Sequence, residues 1–257
     1  MGFNRAQTEA IRHTGGPMMV LAGPGSGKTL VITKRIEYLI QKHKVRPEEI
    51  LVITFTKAAT REMRERFIRC MDGKYLPVTF GTFHGIYYGI LKWAYNLKAE
   101  NILSEEEKTR LLKEIAGSID EEFEIDDEKE FLSGIAAEIS SIKNNRLELD
   151  TFESVQCPPG IFRQIFKEYE RQRSRCKRLD FDDMLVLCHD LFVKRPDILK
   201  KWQNRYSYIL IDEFQDINKV QYDVIRMLAA PKNNLFIVGD DDQSIYRFRG
   251  ARPEIML

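Results

Sequence analysis

The amino-acid sequence predicts an α/β fold, with a parallel sheet flanked by helices and an all-helical subdomain inserted between its strands. Two observations support this prediction. Short, almost wholly apolar segments alternate with longer stretches of helical periodicity, as is typical of a sheet covered on both faces. Between about residues 86 and 200 the helical periodicity continues while strand signals almost disappear, which is typical of an inserted helical unit.

Five segments are predicted to be strands because they are rich in branched and aromatic residues, and a polar residue or a glycine lies at or next to the end of each. They are 18–22 (MMVLA), 50–56 (ILVITFT), 78–83 (VTFGTF), 208–213 (YILIDE) and 235–240 (LFIVGD). In open parallel sheets, ligands bind at the carboxyl ends of the strands. The polar residues that follow these segments are therefore candidates for a binding site.

Helical periodicity predicts the elements between the strands. A helix opens at Lys28–Thr29, with Ile32, Ile36 and Leu39 in its buried stripe. Within the insertion, helices are predicted at 102–115, 131–142 and 161–178, and Ser104 with Glu107 resembles a capping box.

The predicted division assigns 1–95 and 190–257 to the sheet domain and 96–189 to the helical insertion. The acidic stretch 120–130 is interpreted as a solvated connection.

The composition indicates a folded globular protein rather than a disordered, secreted or membrane-spanning one. The chain has 257 residues, 43% of them hydrophobic and 31% charged, which fits a folded globular protein. Its net charge of +1 means that any nucleic-acid binding must come from local basic patches. The four cysteines are scattered without metal-ligand spacing. No signal-peptide core and no apolar run of about 18 residues is present, so a cytoplasmic protein without a membrane span is expected.

The segment AGPGSGKT (22–29) lies between a predicted strand and a predicted helix and fits the P-loop pattern. Its glycines let consecutive backbone N–H groups face phosphate oxygens. Lys28 supplies a positive charge for the β- and γ-phosphates, and the Thr29 hydroxyl is suited to Mg²⁺. The expected phosphate-binding residues are Ala22, Gly23, Gly25, Ser26, Gly27, Lys28 and Thr29.

A second motif, ILIDEFQD (209–216), places Asp212 and Glu213 at the end of a predicted strand. Asp212 is suited to hold Mg²⁺, and Glu213 to orient or deprotonate the attacking water. Together with the P-loop, these carboxylates predict hydrolysis of a nucleoside triphosphate.

These motifs, with others along the chain, resemble the superfamily 1A DNA helicases of the UvrD/Rep type. The resemblance covers nearly the whole chain in the family's order. It rests on FNRAQTEAI (3–11), AGPGSGKT (22–29), TFTKAATREMRER (54–66), GTFHG (81–85), LDFDDM (179–184), ILIDEFQD (209–216) and VGDDDQSIYRFRGA (238–251). It implies the first RecA-like domain of a P-loop NTPase with its helical insertion.

The resemblance also implies roles for residues that the pattern alone leaves open. Gln7 resembles the glutamine that reads the adenine of ATP. Gln243 resembles the residue that senses the γ-phosphate. It would be a fourth catalytic residue, in addition to Lys28, Asp212 and Glu213. The expected contacts to single-stranded DNA are Thr54, Phe55, Thr56, Thr82, Phe83, His84, Tyr246, Phe248 and Arg249. Stacking on aromatic rings and pairing with arginine is how single strands are held without reading of sequence.

Two positions depart from the commonest family pattern. Lys57 follows TFT directly, where an asparagine usually intervenes, and Phe248 stands where tryptophan is common. Separately, the run RQRSRCKR (171–178) is predicted to place Arg171, Arg175 and Arg178 on one helical face. Such a face either contacts duplex phosphates or is simply solvated.

The resemblance implies ATP and Mg²⁺ as cofactors, 3′-to-5′ movement, and single-stranded DNA and single-strand/duplex junctions as substrates. Family members hydrolyse ATP between two RecA-like domains, so the remaining helicase domains, beyond Leu257, are expected partners. The isolated chain is expected to hydrolyse ATP slowly and not to unwind DNA. The alternatives are a nucleotide- and strand-binding module without motor activity, part of a helicase–nuclease subunit, and an unrelated P-loop kinase.

Overall fold

The computed structural model describes residues 2–23, 25–119 and 127–240, and it confirms the predicted fold class. Within these residues, five parallel strands form one sheet, in the order β1-β5-β4-β2-β3. The strands are β1 (Met18–Leu21), β2 (Ile50–Thr54), β3 (Thr79–Thr82), β4 (Tyr208–Ile211) and β5 (Leu235–Gly239).

Helices connect and cover these strands. They are α1 (Arg5–Arg12), α2 (Lys28–Gln41), α3 (Lys57–Cys70), α4 (Phe83–Tyr95), α5 (Glu105–Ile119), α6 (Glu128–Asn145), α7 (Pro159–Arg175), α8 (Phe181–Lys194), α9 (Pro196–Arg205) and α10 (Lys219–Ala229). In the described part of the chain, no helix is long and apolar enough to cross a membrane.

Each central strand buries side chains on both faces of the sheet, because successive residues point to opposite sides. In β2, Leu51 and Ile53 join the core formed with α4, α8, α9 and α10. Their neighbours Ile50 and Val52 join the core formed with α1, α2 and α3. This two-sided burial explains why the strand sequences are continuously apolar rather than alternating.

Several predicted strands extend past the observed ones because a capping residue ends them. β2 ends at Thr54, and the Thr56 hydroxyl accepts a hydrogen bond of 3.0 Å from the Ala59 N–H to begin α3. β3 ends at Thr82, whose hydroxyl accepts one of 3.1 Å from the Gly85 N–H to begin α4. Threonine is a favoured N-cap because its hydroxyl satisfies a helix amide that has no other partner.

A third hydrophobic core belongs to the helical block, defined here as α5, α6 and α7. It is built around Ile115, Ile139, Phe162 and Tyr169, each almost fully buried. The three helices predicted from periodicity correspond to these three helices, with shifted ends. The predicted boundary at residue 190 falls inside α8, which packs against both the sheet and α6. The division into domains therefore stays a prediction.

The predicted basic face of α7 is wrong in one respect. α7 ends at Arg175, so Arg178 lies beyond it. Its guanidinium donates instead to the Glu107 carboxylate at 2.7 Å and to the Ile102 carbonyl at 2.9 Å. Arg171 is paired with Glu168 at 2.6 Å. Two of the three arginines are therefore already engaged within the chain.

Buried charges join the helical block to α8. Lys143 of α6 contacts Asp180 at 2.9 Å, Asp183 at 2.8 Å and Glu170 at 2.7 Å. Lys108 of α5 contacts Asp182 at 3.1 Å. The lysines hold the pKa of Asp180 well below its usual range although burial alone would raise it. The LDFDDM segment thus supplies the carboxylates that attach two helices of the block to α8.

Candidate active site

The P-loop connects the end of β1 to the start of α2, as the sequence predicts. Gly27 is the residue before the helix and has a φ of 84°, and Gly25 has a φ of 70°. L-residues with a side chain rarely adopt these angles, which explains the glycines. The N-cap residue Gly27 has no side chain, so it supplies no side-chain acceptor to the amides in the first turn of α2. Such a helix start favours an anion.

Neighbouring elements hold the loop in place. The Ala22 N–H donates to the Gly239 carbonyl at 3.0 Å, which extends the pairing of β1 with β5. The Gln7 side-chain amide donates to the Ser26 carbonyl at 3.0 Å. Gln7 also completes a capping box with Asn4 at the start of α1. The structure thus places Gln7 against the P-loop, where it fixes the loop backbone; its predicted contact with adenine stays a prediction.

The carboxylates of the second motif follow β4 at the same sheet edge. The Asp212 N–H continues the sheet by donating to the Ile53 carbonyl at 3.0 Å, and its side chain is buried. Burial, followed by the neighbouring Glu213 carboxylate, raises the pKa of Asp212 to about 6. A buried acid beside a second carboxylate is a site that a cation would stabilise.

Lys28 and Glu213 bring the two motifs together. The Lys28 ammonium lies 3.5 Å from a Glu213 carboxylate oxygen, although 185 residues separate them. Glu213 itself has a left-handed backbone, with φ 53° and ψ 47°, and its side chain is 39% exposed. The carboxylate therefore combines contact with the P-loop lysine and access to solvent.

Gln215 is a site residue that the sequence analysis did not assign. Its amide nitrogen donates to Glu213 at 2.7 Å, and its amide oxygen accepts from the Asp240 N–H at 3.0 Å. It thereby joins the carboxylate to the end of β5. The only sequence signal was its place within DEFQD, because the Asp240 contact comes from the sheet topology.

Comparison with protein families decides the identity of this arrangement. The UvrD/REP helicase N-terminal domain model matches residues 3–257. The chain belongs to this family. The family membership that the sequence motifs indicated is thereby confirmed.

Curated relatives are similar over nearly the whole chain. A Bacillus subtilis (strain 168) protein named "Putative ATP-dependent DNA helicase YjcD" is 40% identical over 269 residues, which cover 100% of this chain and 34% of that protein. ATP-dependent DNA helicase PcrA of Staphylococcus epidermidis is 38% identical over 97% of this chain and 34% of its own length. PcrA of Staphylococcus aureus (strain Mu50) is 37% identical with the same coverage. This chain spans about a third of the length of these relatives.

In this member of the UvrD/REP helicase family, four of the predicted DNA contacts are accessible at the carboxyl ends of β2 and β3. Phe55 is half-buried, Thr56 is exposed, and Thr82 and His84 are half-buried. The His84 ring lies 5.5 Å from that of Phe181, so this histidine is neither fully buried nor free of neighbours.

Two of the predicted contacts, Thr54 and Phe83, instead have interior positions. Thr54 is 1% exposed, and its hydroxyl lies 2.5 Å from that of Thr60 and donates to the Thr56 carbonyl at 3.1 Å. Phe83 is 2% exposed and packs in the sheet core. In this conformation neither side chain presents a surface to a DNA strand. Thr54 shapes the turn into α3, and Phe83 supports Phe55 at 5.6 Å between ring centres.

The remaining predicted residues lie outside the described residues. They are Gln243, Tyr246, Phe248 and Arg249. Their predicted roles stay predictions.

Proposed function

We propose that this chain binds ATP with Mg²⁺ and single-stranded DNA, and that it is the ATP-hydrolysing N-terminal part of a DNA helicase. The observation that carries this proposal is the contact between Lys28 and Glu213, which joins the P-loop to the second motif at one sheet edge. A phosphate-binding lysine, an uncapped helix start and an accessible carboxylate are then close enough to act on one triphosphate.

The P-loop suits the phosphates of a nucleotide. The amides at the start of α2, which the N-cap Gly27 cannot cap with a side chain, and the Lys28 ammonium would hold the β- and γ-phosphates. Because the Lys28 ammonium lies 3.5 Å from the Glu213 carboxylate, a γ-phosphate would compete with Glu213 for the same charge. Binding of the triphosphate would then release Glu213 to contact water.

Thr29 and Asp212 are the residues that would hold Mg²⁺. Oxygen donors suit this ion, and the buried Asp212 next to Glu213 is an unfavourable pair of charges that a cation relieves. Magnesium, when bound, would neutralise charge on the phosphates. Gln215 fixes the Glu213 carboxylate at 2.7 Å, so that Glu213 can orient or deprotonate the attacking water.

The proposed strand-binding edge is formed by Phe55, Thr56, Thr82 and His84. A partly exposed aromatic ring, hydroxyls and an imidazole suit stacking with bases and hydrogen bonds to the backbone. By family resemblance, Gln243, Tyr246, Phe248 and Arg249 would add the link between γ-phosphate and strand.

Movement from 3′ to 5′ and action at junctions are also proposed from the resemblance. Unwinding is proposed for a protein that includes the other two thirds of its relatives' length.

Steady-state ATP hydrolysis by the purified chain, with and without a single-stranded oligonucleotide, tests this proposal. Hydrolysis that requires Mg²⁺ and falls to background in Lys28→Ala is expected. Lys34→Ala is the matched control, because Lys34 lies on the same helix and pairs only with Glu37 at 2.6 Å among the described residues. Turnover equal in the chain and in Lys28→Ala would contradict hydrolysis at this site. Turnover unaffected by the oligonucleotide would contradict coupling to DNA.

A further inference from the structure

A surface of aromatic rings and cations lies on α4 and α9, away from the candidate active site. The Trp93 patch is defined here as Trp93 with Lys201, Trp202, Arg205 and Tyr206. The Lys201 ammonium lies 3.9 Å from the centre of the Trp93 ring. Trp93 meets Trp202 edge to face at 6.2 Å and is 49% exposed, whereas Trp202 is 8% exposed. An indole is thus held in place by a buried ring while much of it stays open to solvent.

The cations of the patch are available to an external anion. Lys201 and Arg205 are four residues apart on α9, which places them on one face of the helix. The Arg205 guanidinium lies over Trp202 at 5.2 Å and Tyr206 at 5.3 Å. Both cations are exposed, and neither has a carboxylate at ion-pair distance within the described residues.

The surrounding charge is strongly positive although the chain as a whole is nearly neutral. Between residues 194 and 205 the sequence has five lysines and arginines and one carboxylate, Asp197. That carboxylate is already paired with Arg195 at 2.6 Å. This stretch is therefore complementary in charge to a polyanion. In a chain of net charge +1, binding of a polyanion must come from such a local basic patch.

We propose that the Trp93 patch binds single-stranded nucleic acid, with a base stacked on Trp93 and phosphates paired with Lys201 and Arg205. Aromatic rings interleaved with cations form the kind of surface that holds single strands. The exposed indole favours a base over an acidic protein segment, because the negative face of an aromatic ring does not attract a carboxylate.

The patch is separate from the proposed active site. α4 begins at the carboxyl end of β3, and Trp93 lies ten residues along it, about 15 Å away. α9 leads into the amino end of β4. The patch thus faces the end of the sheet opposite to the P-loop, and its binding of a strand does not depend on ATP hydrolysis.

Tryptophan fluorescence tests the patch directly, since the chain has only two tryptophans. In Trp202→Phe, Trp93 is the single indole, and an oligothymidylate of about ten nucleotides is expected to quench it. Trp93→Phe in the otherwise unchanged chain should remove most of the quenching. Charge reversal by Lys201→Glu with Arg205→Glu should weaken binding about fivefold or more. It should also lower the salt dependence: the slope of log affinity against log salt concentration should decrease in magnitude by about 0.7 for each lost phosphate contact.

Lys42→Glu with Lys44→Glu is the matched charge control, because both lysines are exposed and follow α2 on the other face of the sheet. It should leave the quenching unchanged. Equal weakening by Lys42→Glu with Lys44→Glu, or saturated binding of a labelled oligothymidylate without quenching, would overturn the proposal. Quenching by polyglutamate and not by oligothymidylate would overturn it in favour of an acidic protein segment.

The same measurements separate this proposal from the proposed function. Phe55→Ala should reduce the stimulation of ATP hydrolysis by a strand and leave Trp93 quenching intact. Quenching in a chain that hydrolyses no ATP would support the patch while contradicting the proposed hydrolysis.

Discussion

At the scale of single residues, the candidate active site contains the Glu213 carboxylate and the Gln215 amide that orients it. Gln215 is buried and hydrogen-bonds both Glu213 and the backbone of Asp240. An amide is required for both contacts, since one needs a donor and the other an acceptor. Gln215 is therefore a positioning residue for Glu213 as well as a link between two strand ends.

Gln215→Leu is expected to lower the rate of ATP hydrolysis and to decrease the free energy of unfolding by about 1–3 kcal/mol, because buried polar groups lose their partners. Steady-state kinetics and denaturant unfolding measure the two effects. Gln203→Leu is the control, because Gln203 donates to the Met227 carbonyl at 2.8 Å, away from the site. It should cost stability without a matching loss of turnover. Equal loss of turnover in both variants would contradict the positioning role.

A second prediction at this scale concerns Asp212. Its carboxyl is buried beside Glu213, and its raised pKa shows that the charged form is disfavoured in the folded protein. Asp212→Asn keeps the oxygen that accepts from the Glu213 N–H at 3.1 Å and removes the charge. In metal-free buffer at neutral pH this variant should be at least as stable as the parent chain. With Mg²⁺ present, it should be inactive in ATP hydrolysis. Thermal unfolding with a chelator checks this; a clear decrease in stability would contradict it.

At the scale of elements, α8 holds the helical block and the sheet together. Leu185 and Cys188 of α8 pack in the sheet core, while its first turn supplies Asp182 and Asp183 to the buried lysines of α5 and α6. Removing one partner of a buried ion pair leaves an uncompensated charge, which costs far more than loss of a surface pair. Buried charges are therefore one of the attachments of the block to α8.

Lys143→Met is expected to decrease the free energy of unfolding by about 3–5 kcal/mol. Lys113→Met is the matched control, because Lys113 pairs with Glu128 at 2.6 Å while both side chains are more than half exposed. A surface pair of this kind contributes about 0–1 kcal/mol to the free energy of unfolding. Denaturant unfolding of both variants measures the difference, and similar losses would mean that the buried pairs contribute little.

The elements show which parts of the fold could be predicted from sequence. The five strands, apart from their ends, and the positions of the P-loop and of Asp212 and Glu213 after their strands were predicted correctly, since apolar runs and glycine positions are local signals. Their chemical roles stay predictions. The interior positions of Thr54 and Phe83 were not predicted, because burial depends on which helix packs over a strand end. Gln215 and the role of Asp180 escaped prediction for the same reason: their partners come from distant elements.

At the scale of the whole molecule, the hydrophobic cores and the buried charges of the described residues determine which elements a bound nucleotide would stabilise. A ligand that binds only the folded chain stabilises it by about 2.7 kcal/mol at a hundred times its Kd. That stabilisation reaches every amide whose exchange requires unfolding of the same cooperative unit. Since α8 belongs to the sheet core and holds the helical block through Lys108 and Lys143, the block is expected to unfold together with the sheet.

Hydrogen exchange can therefore test the coupling between nucleotide site and helical block. In the parent chain, ATP with Mg²⁺ should slow exchange in β1, β4 and β5 and also in α5, α6 and α7. In Lys143→Met the sheet strands should keep this protection while the helical block loses most of it, because its attachment to α8 is weakened. Lys113→Met should behave like the parent chain. Protection confined to the sheet in the parent chain would show that the block opens independently, and that the buried charges attach it without transmitting the effect of the ligand.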